Sequence, residues 1–255
     1  MKTETETSED AILGVMLRLR QPLHGHRFGH DAVLLAAATR ACGGEHAVDL
    51  GSGVGAAGLA LAVRVPELTV TLVELDRMLS QLASDNARLN HLDGRVRTLA
   101  LDVENLAALQ AAGILAGTID RVLMNPPFHD ARRQNVSPDA RRRLAHVAEP
   151  GLLQRWVATA AWLLKPRGVL TLIWRADGLE DVVGGLRPAF GEIAVLPVLP
   201  RPNTPAIRVL VRAMKAGYAT QMDYPPLSLN DEHGQPTATA EAILRGGKTL
   251  TISEM

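Results

Sequence analysis

The chain has a single cysteine, Cys42, among 255 residues. One thiol excludes an internal disulfide and leaves no partner for a cysteine-based metal site, the pattern of a cytoplasmic protein. Net charge is missing as well, since 27 basic side chains balance 27 acidic ones. A generic polyanion binder is thereby excluded, and any nucleic-acid role must rest on a local basic patch. Aromatics make up only 3% of the chain, and Trp156, Trp162 and Trp174 fall at helix or strand positions that read as core. No apolar run approaches the roughly 18 residues of a membrane span, because Arg, Asp or Gly interrupts each one. The first ten residues are acidic and Thr-rich, the opposite of a secretory or transit leader, and are expected to be a flexible tail.

What the chain does have is a hydrophobic fraction of 47%, enough for a substantial core in one large domain. Residues 14–20 alternate and read as a short strand. A Gly/His/Pro loop follows, and Asp31 is placed to cap a helix running to about residue 39. From residue 45 strands and helices alternate: strands at 47–50, 68–74, 95–101, 119–124 and 168–174, with helices at 56–63, 77–90, 103–112, 152–164 and 179–186. Strands at 193–196 and 207–213 have no helix between them. This pattern predicts an α/β, Rossmann-like fold, a mostly parallel seven-stranded sheet with helices on both faces and an antiparallel strand at one edge.

The first buried strand runs into Asp49-Leu-Gly51-Ser-Gly53-Val-Gly55-Ala56. Glycines after a strand allow a tight turn and a close backbone approach to a ligand, and the helix that follows offers free N–H groups. Glu74 closes the next strand nineteen residues after Gly55, where a carboxylate can accept both hydroxyls of a ribose. Asp102 follows the third strand. Gly51-x-Gly53-x-x-Ala56 formally satisfies the dinucleotide fingerprint, so NAD is one candidate on the motif alone. A pyrophosphate is poorly served by a mouth ringed with acids. Asp49, Glu74 and Asp102 suit a ligand with hydroxyls, an adenine amine, an ammonium and a sulfonium, and these are the groups of S-adenosylmethionine.

The fourth strand of this series, Ile119-Asp-Arg-Val-Leu-Met124, ends in Asn125-Pro126-Pro127-Phe128. Neither proline has an N–H, so the stretch offers acceptors and few donors. Each proline also holds the residue before it extended. Asn125 Oδ1 and the Pro126 carbonyl can accept the two hydrogens of one planar –NH₂ group while Phe128 stacks on the plane that carries it. The plainer reading is a Pro-Pro turn that merely ends a strand. Beyond it lies a polar segment with Arg132, Arg133, Arg141, Arg142 and Arg143, which can hold phosphates or stand as a solvated loop. His129 is placed either to touch substrate or to close that loop. His24, His26 and His30 share a Gly-rich loop with no cysteine partner, and no metal site is expected there.

Taken together these stretches resemble the class I S-adenosylmethionine-dependent methyltransferases, with Asp49-Leu-Gly-Ser-Gly similar to motif I and Asn125-Pro-Pro-Phe to motif IV of the amino methyltransferases. Upstream, Gln21-Pro22, Gly25-His-Arg27-Phe28 and Asp31-Ala-Val-Leu-Leu-Ala36 are similar to the entry motif of the bacterial tRNA-Val (adenine-N6)-methyltransferase family. Downstream, Ala145-His146, Leu163-Leu-Lys-Pro166, Pro200-Arg-Pro202, Arg208-Val-Leu-Val211 and Ala242-Ile-Leu-Arg-Gly246 resemble its C-terminal half. The resemblance implies Glu74 on the ribose, Asp102 near the adenine, and Asp49, Gly51, Gly53, Asn125, Arg27 and Phe28 around the cofactor. It also implies Asn125, Pro126 and Phe128 in catalysis, Pro127, Phe128, His129 and the five loop arginines on substrate, and tRNA as partner. The Asn125-Pro-Pro-Phe128-His129 run is also similar to ribosomal RNA (guanine-N2)-methyltransferases, the runner-up, and glutamine amide methyltransferases share the Asn-Pro-Pro-aromatic motif. The expected layout is a tail at 1–10 and an N-terminal strand, loop and helix capping the cofactor site at 11–42. The methyltransferase domain would span 43–213 and a C-terminal extension 214–255; the oligomeric state is left open.

Overall fold

A computed structural model describes residues 6–24, 27–127, 151–250 and 252. Its centre is a sheet with the strand order β10-β8-β9-β7-β6-β3-β4-β5. The first five strands of the repeat are β3 (His46–Leu50), β4 (Thr69–Glu74), β5 (Val96–Ala100), β6 (Ile119–Met124) and β7 (Leu164–Arg175), all mutually parallel. β9 (Arg208–Lys215) is antiparallel to both β7 and β8 (Phe190–Leu199). These seven strands are the predicted mostly parallel sheet with its antiparallel pair toward one end. The C-terminal stretch adds two short strands beyond β8, β10 (Gln221–Asp223) and β11 (Leu227–Ser228), both parallel to it.

Alternation along each strand feeds two cores. Ala47, Leu123, Ile173 and Leu210 face one cluster, shared with α1 (His30–Ala38), α2 (Ala56–Arg64), α3 (Arg77–Leu89) and α7 (Ala238–Leu244). Val48, Val122, Met124, Leu172 and Val211 face the other, shared with α4 (Leu106–Ala111), α5 (Leu152–Leu163) and α6 (Leu179–Leu186). A period of two in the strands and helices on both sides are what a parallel sheet buried on both faces requires. α1 is buried from Ala32 to Ala38, and the C-terminal segment covers it: Leu250 N–H donates to Ala37 O at 2.9 Å, and Arg64 donates to the carbonyls of Gly247 and Lys248. The C-terminal stretch thus docks on the domain through residues 221–223, 227–228 and 247–250.

Two expectations are corrected. Residues 7–10 are not a flexible tail: β1 (Thr7–Ile12) pairs antiparallel with β2 (Leu17–Pro22) from Thr7↔Pro22 to Ile12↔Leu17. A polar stretch with alternating exposure becomes a strand because its partner supplies its ladder. Asp31 does not cap α1. Gly29 holds the cap position, and Asp31 sits in the first turn, where its carboxylate accepts from Arg208 Nε at 2.8 Å.

Candidate active site

β3 leads to β4 on one side while β6 lies on its other side, so the switch point of the sheet falls between β3 and β6. Ligands of open α/β sheets sit there, outside the C-terminal strand ends. Register places Leu50 beside Met124 and Val73. The glycine loop after Leu50, Glu74 at the end of β4 and Asn125 after Met124 therefore share one sheet edge. Asp102, two residues past β5, continues it.

The loop's backbone is left-handed at every second residue, with φ of +69° at Gly51, +56° at Gly53 and +87° at Gly55. Side chains rarely adopt such values. The Gly51 and Ser52 amides donate to Val73 O. A β-carbon on Gly51 would lie 2.4 Å from the Trp156 ring, whereas one on Gly53 would meet nothing within 4 Å. The loop is thus wedged against α5 at one glycine and open at the next. Next to Trp156, Arg155 pairs with Glu104 at 2.7 Å, and Glu104 N–H donates to Asp102 Oδ1 at 2.9 Å. The first turn of α5 is held at both sides of the crevice.

The three predicted acids behave differently. Glu74 folds over the loop, Oε2 accepting from Gly53 N–H and Oε1 from Asp76 N–H, both at 2.8 Å. Burial pushes its carboxyl above the usual range, and these amides oppose that push. Asp49 is turned inward. It is 2% exposed, and its Oδ2 accepts from Gly58 N–H at 2.8 Å. Burial raises its carboxyl to about 7, against the Gly58 hydrogen bond and with help from the Glu74 charge. Asp102 is exposed at the rim. A carboxylate already bonded to Gly53 N–H puts negative charge where a phosphate would have to sit, which argues against a dinucleotide.

Asn125 is half-buried; its Oδ1 is buried and has no hydrogen-bond partner among the described residues. Pro126 is buried and Pro127 half-buried. Ser52 Oγ, in the glycine loop, is a second buried oxygen without a partner among the described residues. Buried polar atoms are nearly always paired, so such orphans at a ligand edge point to groups that a ligand supplies. Phe28 is half-buried against the first core. Arg27 turns to the hairpin, donating to Ser8 Oγ, Pro22 O and Asp10 Oδ2. Phe128, His129, Arg132, Arg133, Arg141, Arg142 and Arg143 lie outside the described residues. Leu75, beside Glu74 and 63% exposed, was not anticipated from sequence. It offers an apolar surface at the crevice, and no local pattern distinguishes it from a strand-end residue.

Sheet order, crevice and loop define a Rossmann-like methyltransferase fold. Residues 29–197 match the methyltransferase small domain, and the chain belongs to that family. It is 31% identical over 160 residues to the tRNA1(Val) (adenine(37)-N6)-methyltransferase of Porphyromonas gingivalis, covering 61% of each chain. It is 30% identical over 155 residues to the release factor glutamine methyltransferase of Chlorobaculum tepidum, covering 58% of this chain and 52% of that one. These alignments span between half and two thirds of the relatives' length. Among solved structures, the Agrobacterium tumefaciens protein Atu636, described as a predicted O-methyltransferase, superposes with a TM-score of 0.72 at 27% identity, over 86% of this chain and 97% of that one.

Proposed function

We propose that this protein is an S-adenosylmethionine-dependent methyltransferase acting on an exocyclic amine, adenine N6 of a tRNA in the first instance. The observation that carries the reading is the buried Asn125 Oδ1, without a partner among the described residues, at the switch point and one strand from the glycine loop. The residues fit the cofactor. The two Glu74 oxygens already take the Gly53 and Asp76 amides; an ionised carboxylate has about four acceptor positions, so hydroxyls can still be bound. Leu75 offers an apolar surface to a flat base, Gly53 leaves room for close approach, and Asp102 lies at the rim. The cofactor supplies an electrophilic methyl group on sulfur.

The chain's own part is to hold and polarise the amine. The nitrogen lone pair is delocalised into the ring, which makes it a weak nucleophile. Accepting both N–H hydrogens, at Asn125 Oδ1 and the Pro126 carbonyl, draws the nitrogen toward a pyramidal shape with its lone pair exposed. None of Asn125, Pro126 and Pro127 is a base, so the proton leaves to water after transfer, and positioning carries most of the rate. In this reading Arg132, Arg133, Arg141, Arg142 and Arg143 would make the phosphate contacts. No helix among the described residues is long and apolar enough to cross a membrane.

A second reading is methylation of a glutamine amide in a protein, favoured by the 30% identity to the release factor enzyme. An amide is another planar, weakly nucleophilic –NH₂ group that the same two acceptors fit. The test is methyl transfer from labelled S-adenosylmethionine into tRNA, ribosomal RNA and release factor taken from a strain lacking the gene. N6-methyladenosine in tRNA supports the first reading. N2-methylguanosine in ribosomal RNA or methylglutamine in the protein replaces it, and no uptake of the cofactor by the protein refutes both.

A further inference from the structure

α3 carries two asparagines one turn apart that act as a substitute strand. Asn86 Oδ1 accepts from Arg20 N–H at 2.7 Å and its Nδ2 donates to Arg20 O at 2.9 Å. Asn90 repeats the pair on Arg18, at 2.8 and 2.7 Å. The match has a geometric cause. Four helical residues rise about 6 Å and two strand residues about 6.6 Å, so side chains at i and i+4 meet backbone groups two apart on β2. A two-stranded hairpin is marginal by itself, and this ladder gives β2 bonds along the edge that β1 does not pair.

The two asparagines differ in their remaining hydrogen. Asn90 Nδ2 also donates to Asn86 O, within its own helix, at 2.7 Å. Asn86 Nδ2 also donates to Val54 O at 3.0 Å, and Val54 lies between Gly53 and Gly55 of the glycine loop. We propose that Asn86 is a positioning residue of the cofactor site, tying the β1–β2 hairpin to the glycine loop through the Val54 carbonyl. Asn86 is completely buried and Val54 nearly so, so the carbonyl has no water to turn to if the amide is lost. Val54 shares a peptide with Gly53, whose N–H meets Glu74, and with Gly55, which caps α2. On the hairpin side, the residue after Arg20 is the buried Gln21. Its Oε1 accepts from Phe28 N–H at 3.2 Å and its Nε2 donates to Asp10 Oδ2 at 2.6 Å. One asparagine thus joins the floor of the crevice to the segment that carries Phe28.

This inference rests on the cofactor reading above. The test compares Asn86→Asp with Asn90→Asp in the full chain. Each substitution is nearly isosteric, keeps the acceptor for the strand N–H and removes the amide donors. Affinity for S-adenosylmethionine is measured by calorimetry, and kcat and KM with whichever substrate takes up label. Asn86→Asp is expected to weaken cofactor binding at least tenfold and raise the cofactor KM to match, with kcat at saturation within about threefold. Asn90→Asp is expected to lower the melting temperature with cofactor affinity within twofold of wild type. Equal affinity in the two variants, or an Asn86→Asp protein that binds as wild type does, overturns the proposal. Should Asn86→Asp not fold, amide exchange on the wild type decides: saturating cofactor is expected to slow Arg20 N–H more than Arg18 N–H, and equal rates overturn it. A wild type that takes up no cofactor removes the function reading itself, a result separable from all of these.

Discussion

Replacing Gly51 by alanine tests whether the glycine loop is wedged against α5 as the structure has it. The cost has two parts. At φ +69° a β-carbon meets the following carbonyl oxygen, worth roughly 1–2 kcal/mol. The same carbon would stand 2.4 Å from Cη2 and 2.9 Å from Cζ3 of Trp156, closer than carbon atoms approach without displacement. The indole is rigid and 8% exposed, set among Val48, Leu50, Leu153 and Val157, so it has little room to swing aside, and overpacking of this kind costs roughly 1–3 kcal/mol. The sum, roughly 2–5 kcal/mol, is a large share of a typical domain's 5–15 kcal/mol. Trp156→Leu is destabilising by itself, but it removes the clash and leaves only the backbone strain. Denaturant unfolding of the wild type, both single variants and the double variant should therefore give a favourable coupling of about 1–3 kcal/mol. An additive double variant, or a Gly51→Ala protein within about 0.5 kcal/mol of wild type, the range of an uneventful surface change, would refute the wedge.

Asp49 predicts a pH dependence. An ordinary aspartate ionises near 3.8, whereas burial holds this one to about 7, so between those values the unfolded chain sheds a proton that the fold retains. Its contribution to stability is full below the lower value and is lost as pH climbs through about 7. Asp49→Asn, which keeps an oxygen for Gly58 N–H, should gain on wild type from pH 5 to pH 8 by on the order of 2 kcal/mol; parallel stability curves would sink the argument. Asn125→Ala should lower kcat by roughly 10²–10³, the loss typical of one preorganised polar partner at a reacting group, with cofactor affinity within a few fold. Loss of cofactor binding in that variant would move Asn125 from substrate to cofactor. Glu74→Ala should weaken cofactor binding markedly, since it removes the acceptor of the Gly53 and Asp76 amides along with the bond to the ribose that the proposed function assigns to it, and unchanged affinity by calorimetry would take Glu74 out of the site.

The sheet was legible because its strands are buried on both faces and read as short apolar runs between glycine turns; the bounds of β3, β4, β6 and α6 fall within a residue or so of those expected. β1 was not, because Thr7-Ser-Glu-Asp-Ala-Ile12 has neither an apolar run nor a buried face, and its strand character comes from β2. Asp31 was misread for a related reason. Its partner, Arg208, is 177 residues away, and a local capping pattern contains no trace of it. The site divides along the same line. A parallel sheet brings every C-terminal strand end to one edge, so Gly51, Glu74, Asp102 and Asn125 could be grouped from the order of elements alone.

Where each side chain points within that group is a matter of tertiary packing, and here two of the expected contacts turn away from the crevice. Asp49 goes beneath the loop to Gly58, where a β-carbon would stand 2.3 Å from Leu72 Cδ2 and 3.1 Å from the carboxylate, so a side chain at 58 would crowd both Leu72 and the inward aspartate. Arg27 goes to the hairpin and its Asp10. Asp49 thereby fixes the start of α2, and Arg27 ties its own loop to the β1–β2 hairpin. Glu74 is the informative intermediate, because one oxygen bonds the glycine loop at Gly53 and the other bonds Asp76 N–H, which leaves a lone pair on each for hydroxyls. A bound ribose would then share its acceptor with the very amide that shapes the glycine loop, which would make loop geometry and cofactor affinity parts of a single equilibrium and give the proposed positioning role of Asn86 its route, through the Val54 carbonyl.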